Sequence, residues 1–280
     1  MGTLGDRIGR RRMLMAGAAA FGAASLLAAF STTADMLIAA STHPAMLLYL
    51  DNHLSIGPNS EVGVRGRRGP NENLAREILE LHTVGVAAGY TQDDVRALAK
   101  MITGWGLVRP NEGGQTGAFI FRARAHEPGA QTLLGHTFAA GGYEQGETAL
   151  DFLATHPATA RHIASKLARH FVGDDPPAAL VDRLTVRFLE TGGDLRQVTR
   201  VLVEASEPWS EVAPKMRTPF EMQVAAFPAL GIVPTPERTL ASLAQLGHPM
   251  FRAPSPAGWP DRAKDWAAPE ALVKRVEWAV

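Results

Sequence analysis

Apolar residues recur at helical spacing along most of the chain beyond His43, with one clear interruption. HPAMLLYLDN (43–52) predicts a short helix with Pro44 in its first turn, where the missing N–H costs nothing. Residues 54–70 read as a loop, punctuated by Gly57, Gly63, Gly66 and Gly69. A helix over 71–84 opens at Asn71 and closes near Gly85, which tolerates the left-handed conformation that ends helices. Its buried stripe is Leu74, Ile78 and Leu81. Thr91 with Asp94 marks the next helix start, and Val95, Leu98, Ala99 and Ile102 supply its apolar face.

Between 105 and 146 the helical period disappears. FIFRARAH (119–126) and TLLGHTF (132–138) flank a Pro-Gly turn at 128–129, which predicts a small hairpin. Helices resume at about 147–155, 157–172, 177–191, 194–206, 218–230, 236–246 and 269–280. Pro157, Pro177, Thr218-Pro219 with Glu221 and Thr235-Pro236 start them; Gly192-Gly193 and Gly247 stop them. The expected fold is mainly α: an irregular multi-helix domain with a small β-hairpin insertion at about 117–140.

The first forty residues differ in character. Arg7, Arg10, Arg11 and Arg12 face Asp6 alone, and residues 13–34 then carry no charge. Twenty such residues in a helix span roughly 30 Å, the thickness of a bilayer core. Three readings stand side by side. The segment is a twin-arginine export signal using Arg11-Arg12 and a small-residue exit near Thr32-Thr33-Ala34. Or it is a long buried helix. The third reading is a resemblance: GTLGDRIGRRRMLMAGAAAFGAASLLAAFSTTADMLIAA is similar to the cytoplasmic loop and third membrane helix of a major facilitator superfamily transporter. That resemblance implies gating roles for Asp6, Arg7 and Arg10, while the uncharged run itself predicts an apolar membrane-type helix and a membrane partner through 13–34, with the flanking arginines holding the N-terminus in the cytoplasm. One such helix anchors and does not pump.

Composition narrows the classes. The 280 residues carry 28 basic and 28 acidic side chains, so no global field attracts nucleic acid, and no nucleic-acid partner is expected. Cysteine is absent, which removes disulfides, thiol catalysis and cysteine metal sites. No phosphate-loop, H-E-x-x-H or G-x-S-x-G motif is present, and neither a cofactor nor a metal is implied.

Chemistry concentrates in two places. Helix 71–84 bears Asn71, Asn73, Glu77, Glu80 and His82. At about 100° per residue, Glu77 and His82 fall on opposite edges of the stripe and cannot grip one metal ion. Further ligands would have to come from His43, Asp51 or His126. The alternatives are an acid/base role for Glu77 or Glu80 with His82 or His43, or an ion pair from Glu77 to an arginine at the core boundary while His82 caps the helix end. The loop GVRGRRGP combines flexible glycines with Arg65, Arg67 and Arg68 ahead of a helix N-terminus, which favours anions. His162, Lys166 and His170 share a face opposite Ile163, Leu167 and Phe171, a solvated polar face on this reading. His126 and His136 lie on the expected hairpin, and Trp105, Trp259 and Trp266 are expected to plug the core beneath irregular loops.

Five segments carry a second resemblance: HPAMLLYLDN, GPNENLAREILELHTVGVAAGYTQDDVRALAKMITGW, HPATARHIASKLARHFV, TGGDLRQV and PAGWPDRAKDW. In order and spacing they are similar to the bacterial domain-of-unknown-function-1800 family, over about 42–280. The resemblance implies a helical fold and an exported or envelope-associated protein, with no established activity. It also implies an incomplete domain joined near residue 41 to a membrane-helix fragment, a chimera of 1–41 and 42–280. The expected role is binding or structural, toward an anionic polymer or envelope component. A hydrolase and a non-functional transporter fragment are the alternatives.

Overall fold

The computed structural model describes residues 33–66, 69–210, 215–255 and 257–279. Helices dominate it, beside two small antiparallel sheets. The chain divides into two units, Met1–Ala160 with Thr185–Arg200 and Arg161–Leu184 with Val201–Val280.

The first unit begins with α1 (Thr33–Thr42), which passes through the join expected near residue 41. Helix α2 (Pro44–Tyr49) starts as expected, with Pro44 in the first turn and the His43 ring nitrogen accepting the Ala45 N–H at 3.2 Å. The stretch expected to be all loop contains a helix, α3 (Glu61–Gly66). Ser60 explains it: its hydroxyl accepts the Gly63 N–H at 3.0 Å, and its carbonyl accepts the Val64 N–H. The sequence places Gly63 in a loop, yet a Cβ there would sit 2.0 Å from the Gly57 carbonyl oxygen. It is a packing glycine.

Helix α4 (Asn73–Glu77) runs directly into a π-helical turn, Ile78–His82. Helix α5 (Gln92–Met101) carries the full capping box: Thr91 Oγ1 accepts the Asp94 N–H and Asp94 accepts the Thr91 N–H at 2.7 Å. Its expected face, Val95, Leu98, Ala99 and Ile102, is buried throughout.

The single hairpin expected between 119–126 and 132–138 is instead two. Strand β1 (Trp105–Leu107) pairs with β2 (Phe119–Phe121), and β3 (Gln131–Leu133) pairs with β4 (His136–Phe138). Leu134 and Gly135 form the second turn with φ of 48° and 77°, the two-residue geometry that matches strand twist. Leu134 bears that unfavourable φ while its N–H donates to Asp94 Oδ1 at 2.6 Å. His126 and His136 therefore sit on different structures, one against Phe121 and the other stacked on Phe152. Helix α5 packs on β3, and α6 (Tyr143–Thr155) packs on α1. Trp105 is fully buried at the centre with Leu74, Leu98, Met101 and Leu150, as its plug role requires. Gly146 makes room for it, since a Cβ there would stand 2.5 Å from the indole.

Three helices contribute to both units: α7 (Pro157–Phe171), α8 (Ala178–Glu190) and α9 (Leu195–Glu204). The inward seam of α7 is Ala160, Ala164 and Ala168 rather than Ile163, Leu167 and Phe171, and Phe171 is exposed. Small side chains admit close backbone approach, which outweighs the larger but less complementary stripe. The second unit adds α10 (Pro219–Ala229), α11 (Pro236–Gln245), α12 (Ala263–Trp266) and α13 (Pro269–Ala279). Thr218 with Glu221 and Thr235 cap α10 and α11 as their sequences imply. Among the described residues no helix is long and apolar enough to cross a membrane. The basic segment 1–12 lies outside the described residues, as do all but the last two positions of the apolar run 13–34.

Candidate anion-binding cleft

The polar helix 71–84 does not present its groups as the helical wheel implies. In the π turn, Thr83 Oγ1 donates to the Ile78 carbonyl at 2.7 Å and the Gly85 N–H donates to Leu79 at 2.9 Å. The wider winding shifts the phase, so Leu79 is fully buried while Leu81 stays half-buried. Glu77 pairs with no arginine or lysine among the described residues. Burial, and then the charge of Glu80, raise its carboxyl above the ordinary range. Glu80 is occupied: it accepts the Tyr90 hydroxyl at 2.8 Å and lies 3.6 Å from Arg76. Burial and that bond push the Tyr90 hydroxyl up to about 12. His82 is half-buried and already partnered.

The other candidates have structural tasks. His43 caps α2, and Asp51 holds a left-handed φ of 55° on the exposed side of the next turn. Asn71 Nδ2 donates to the Leu50 carbonyl at 3.1 Å while its Oδ1 accepts the Asn73 N–H at 2.8 Å. Asn73 itself is exposed. His126 is buried, with Nδ1 donating to the Thr103 carbonyl at 3.0 Å. Among the described residues, no three His, Asp or Glu side chains are placed to hold a metal ion.

A cleft opens elsewhere in the first unit, with a volume of about 520 Å³. His53, Leu54, Ser55 and Ile56 line one part, and Ile120, Phe121, Arg122, Ala123, Arg124 and Ala125 another. Gly104, Val62 and Arg109 complete it. Gly104 joins the two parts: its N–H donates to the Ser55 carbonyl at 3.3 Å, and its carbonyl accepts the Arg122 N–H at 2.8 Å. Its φ of 79° and the Arg122 oxygen 2.7 Å from any added Cβ exclude other residues. The basic loop is tied to the same rim. Ile56 N–H donates to the Gly69 carbonyl at 3.4 Å, and Asn71 N–H donates to Ser55 Oγ at 3.0 Å.

The arginines around the cleft are unequal. Arg122 grips Glu112 with two bonds of 2.8 and 2.7 Å and also donates to the Leu107 carbonyl. That fork, helped by the Arg109 N–H, holds the Glu112 carboxyl at about 2. Arg124 grips Glu61 with bonds of 2.7 and 2.6 Å and keeps that carboxyl below its usual range. Arg65 is exposed and lies 3.3 Å from the same Glu61. Arg67 and Arg68 lie outside the described residues. The Arg109 guanidinium pairs with no carboxylate among the described residues and is exposed. His53 donates from Nδ1 to the Leu47 carbonyl at 3.1 Å, which fixes its tautomer and leaves Nε2 as its second bonding atom.

A second cavity of about 590 Å³ lies in the second unit, lined by Asp174, Asp175, Glu207 and Lys215 among others. Its polar groups are largely spent: Asp174 accepts the Ala263 N–H, Glu207 pairs with Arg183, and Lys215 donates to the Arg169 carbonyl, each at 2.7 Å. The arginine-lined cleft is the better candidate.

Reading the sequence alone missed His53, Arg109, Arg122 and Arg124. The signal was the alternation in FIFRARAH, read as a strand; the chain leaves the ladder at Phe121 and turns through Ala123–Ala125. Buried Glu127 was also missed. It accepts the Asn59 N–H at 2.9 Å and Asn59 Nδ2 at 2.7 Å, clamping the loop around Gly57.

The sequence model of the family described as "Protein of unknown function (DUF1800)" matches residues 18–280. Short matches to transporters also occur. The chain is similar to the methyl viologen resistance protein SmvA of Salmonella typhimurium, 67% identical over 39 residues. It is similar to the multidrug efflux pump LfrA of Mycolicibacterium smegmatis, 55% identical over 40 residues. Each match covers 14% of this chain and 8% of the transporter. No solved structure matches.

Proposed function

Since the chain belongs to the DUF1800 family, whose function its description leaves open, we propose from the cleft itself that it is a binding protein for an acidic ligand, an anionic polymer or other cell-envelope component. The observation that carries this reading is the open guanidinium of Arg109 beside a preformed cleft that Arg122, Arg124 and His53 also line. A guanidinium beside a recess can take an acid group through two parallel hydrogen bonds. Arg65, which shares Glu61 with Arg124, adds a further positive charge beside Arg124. Envelope placement comes from the family resemblance of the motifs.

Retention on immobilised dextran sulfate tests it. Arg109→Ala with Arg124→Ala should elute at clearly lower salt than the parent chain, and replacing Arg65, Arg67 and Arg68 with alanine should add to the loss. Unchanged elution of both variants would sink the reading.

A hydrolase has one observation in its favour, the raised carboxyl of Glu77. Glu80 is engaged by Tyr90 and Arg76, and His43 by its cap, so a partner base for Glu77 is lacking among those side chains. A transport role rests on matches covering 8% of each of those two proteins.

A further inference from the structure

The cleft has two chemical halves, and we infer that its ligand has two as well: a single acid group held at Arg109 and a hydrocarbon tail laid over Leu54, Ile56, Val62 and Ile120. This rests on the acidic-ligand reading and narrows it to amphiphilic monoanions, such as fatty carboxylates.

The charge argument comes first. Arg122 and Arg124 are each gripped by a carboxylate, Glu112 at 2.7 Å and Glu61 at 2.6 Å. Arg65 shares Glu61. Arg109 has no ion pair of its own among the described residues, although its charge also acts on Glu112, so three lining guanidinium groups stand against two carboxylates. A carboxylate fits a planar fork through two parallel bonds.

The apolar half is the second argument. Leu54 remains 53% exposed and Val62 38% exposed although both line the cleft. Phe121 and Ile120 continue that lining. Apolar walls with a few placed polar groups are the usual make-up of small-ligand sites, and about 520 Å³ is within their normal size. A hydrophilic chain gains nothing from these side chains, whereas each methylene laid on them leaves water.

Isothermal titration of the full chain with acetate, butanoate, hexanoate and octanoate, all below micelle concentrations, tests this. Affinity should rise by about tenfold for every two methylenes added, until the cleft is filled. Arg109→Ala should weaken every member by a similar factor and leave the slope on chain length intact. Leu54→Ser with Val62→Ser should flatten the slope while leaving acetate unaffected. Both variants alter exposed side chains, and unchanged circular dichroism confirms their folding. Equal affinity for all four carboxylates would overturn the inference. So would failure of all four to bind, and arginine-dependent retention on dextran sulfate would then leave the broader reading standing. Loss of both would remove both.

Discussion

The two units of the molecule reach order by different means. In the first, large side chains and buried polar clamps act together. Fully buried Asn52 donates to the carbonyls of Ile102 at 3.3 Å and Trp105 at 3.4 Å, and Glu127, only 2% exposed, holds Asn59. In the second, helix α13 buries no residue fully, and Val224, Leu230, Val233, Leu240, Phe251, Val273 and Val276 are exposed. There the caps of α10 and α11, one link from the buried Gln223 Nε2 to Ser242 Oγ at 2.7 Å and one cluster, His248 with Trp259 and Trp266, hold local geometry. Buried polar clamps fix where loops lie, so the first unit can carry a preformed cleft.

The strongest way to break this contrast is at Trp105. Trp105→Ala should cost about 3–5 kcal/mol and abolish cooperative melting of the first unit. Val233→Ser, at a side chain 93% exposed in the second unit, should stay within about 0.5 kcal/mol. Equal effects at the two positions in denaturant unfolding would erase the distinction.

Gly57→Ala comes next. A Cβ there would stand 2.5 Å from the Glu127 backbone, which cannot retreat as a flexible side-chain end can. The substitution should cost about 1–3 kcal/mol and weaken ligand binding by displacing the wall at Ser55 and Ile56. Wild-type melting and binding would show that this seam is not what shapes the cleft.

The units should also part on acidification. Burial depresses the His248 imidazole below its ordinary 6.5, although Glu221 pulls the other way. Its neutral form is the one the fold prefers, so the stability it supports is complete above pH 6.5 and declines as the pH falls below it. Thermal melts of the second unit should move down through that window and be levelled by His248→Phe. Glu112 behaves differently. Its folded carboxyl sits at about 2 against an ordinary 4.5, so its contribution is intact above 4.5 and is lost between there and 2. The smallest effect expected is therefore at the cleft: carboxyl NMR should place the Glu112 midpoint near 2, and a normal midpoint would mean the Arg122 fork is open in solution.

Much of the helical frame was legible in the sequence because its signals are local. Thr91 with Asp94, Thr218 with Glu221 and Pro44 act within one turn, and each starts its helix where expected. What was illegible depends on partners distant in sequence. The π turn at Ile78–His82 changes the phase of a helix whose apolar pattern looks regular. Gly63 looks like a loop residue until Gly57 is placed beside it, and the alanine seam of α7 wins over a larger stripe only through close packing. The cleft was partly legible: the basic loop was visible as a cluster, while Arg109, Arg122 and Arg124 meet only after β1 and β2 pair and Gly104 binds both walls. Of the loop's arginines, Arg65 leans on Glu61, an interaction the charge count alone does not reveal.

Hydrogen–deuterium exchange of the full chain, with and without octanoate, tests the central claim most directly. Slowed exchange at 53–56 and 104–125, abolished by Arg109→Ala, is the expected result. Protection confined to the second unit, or the same protection in the Arg109→Ala chain, would contradict it.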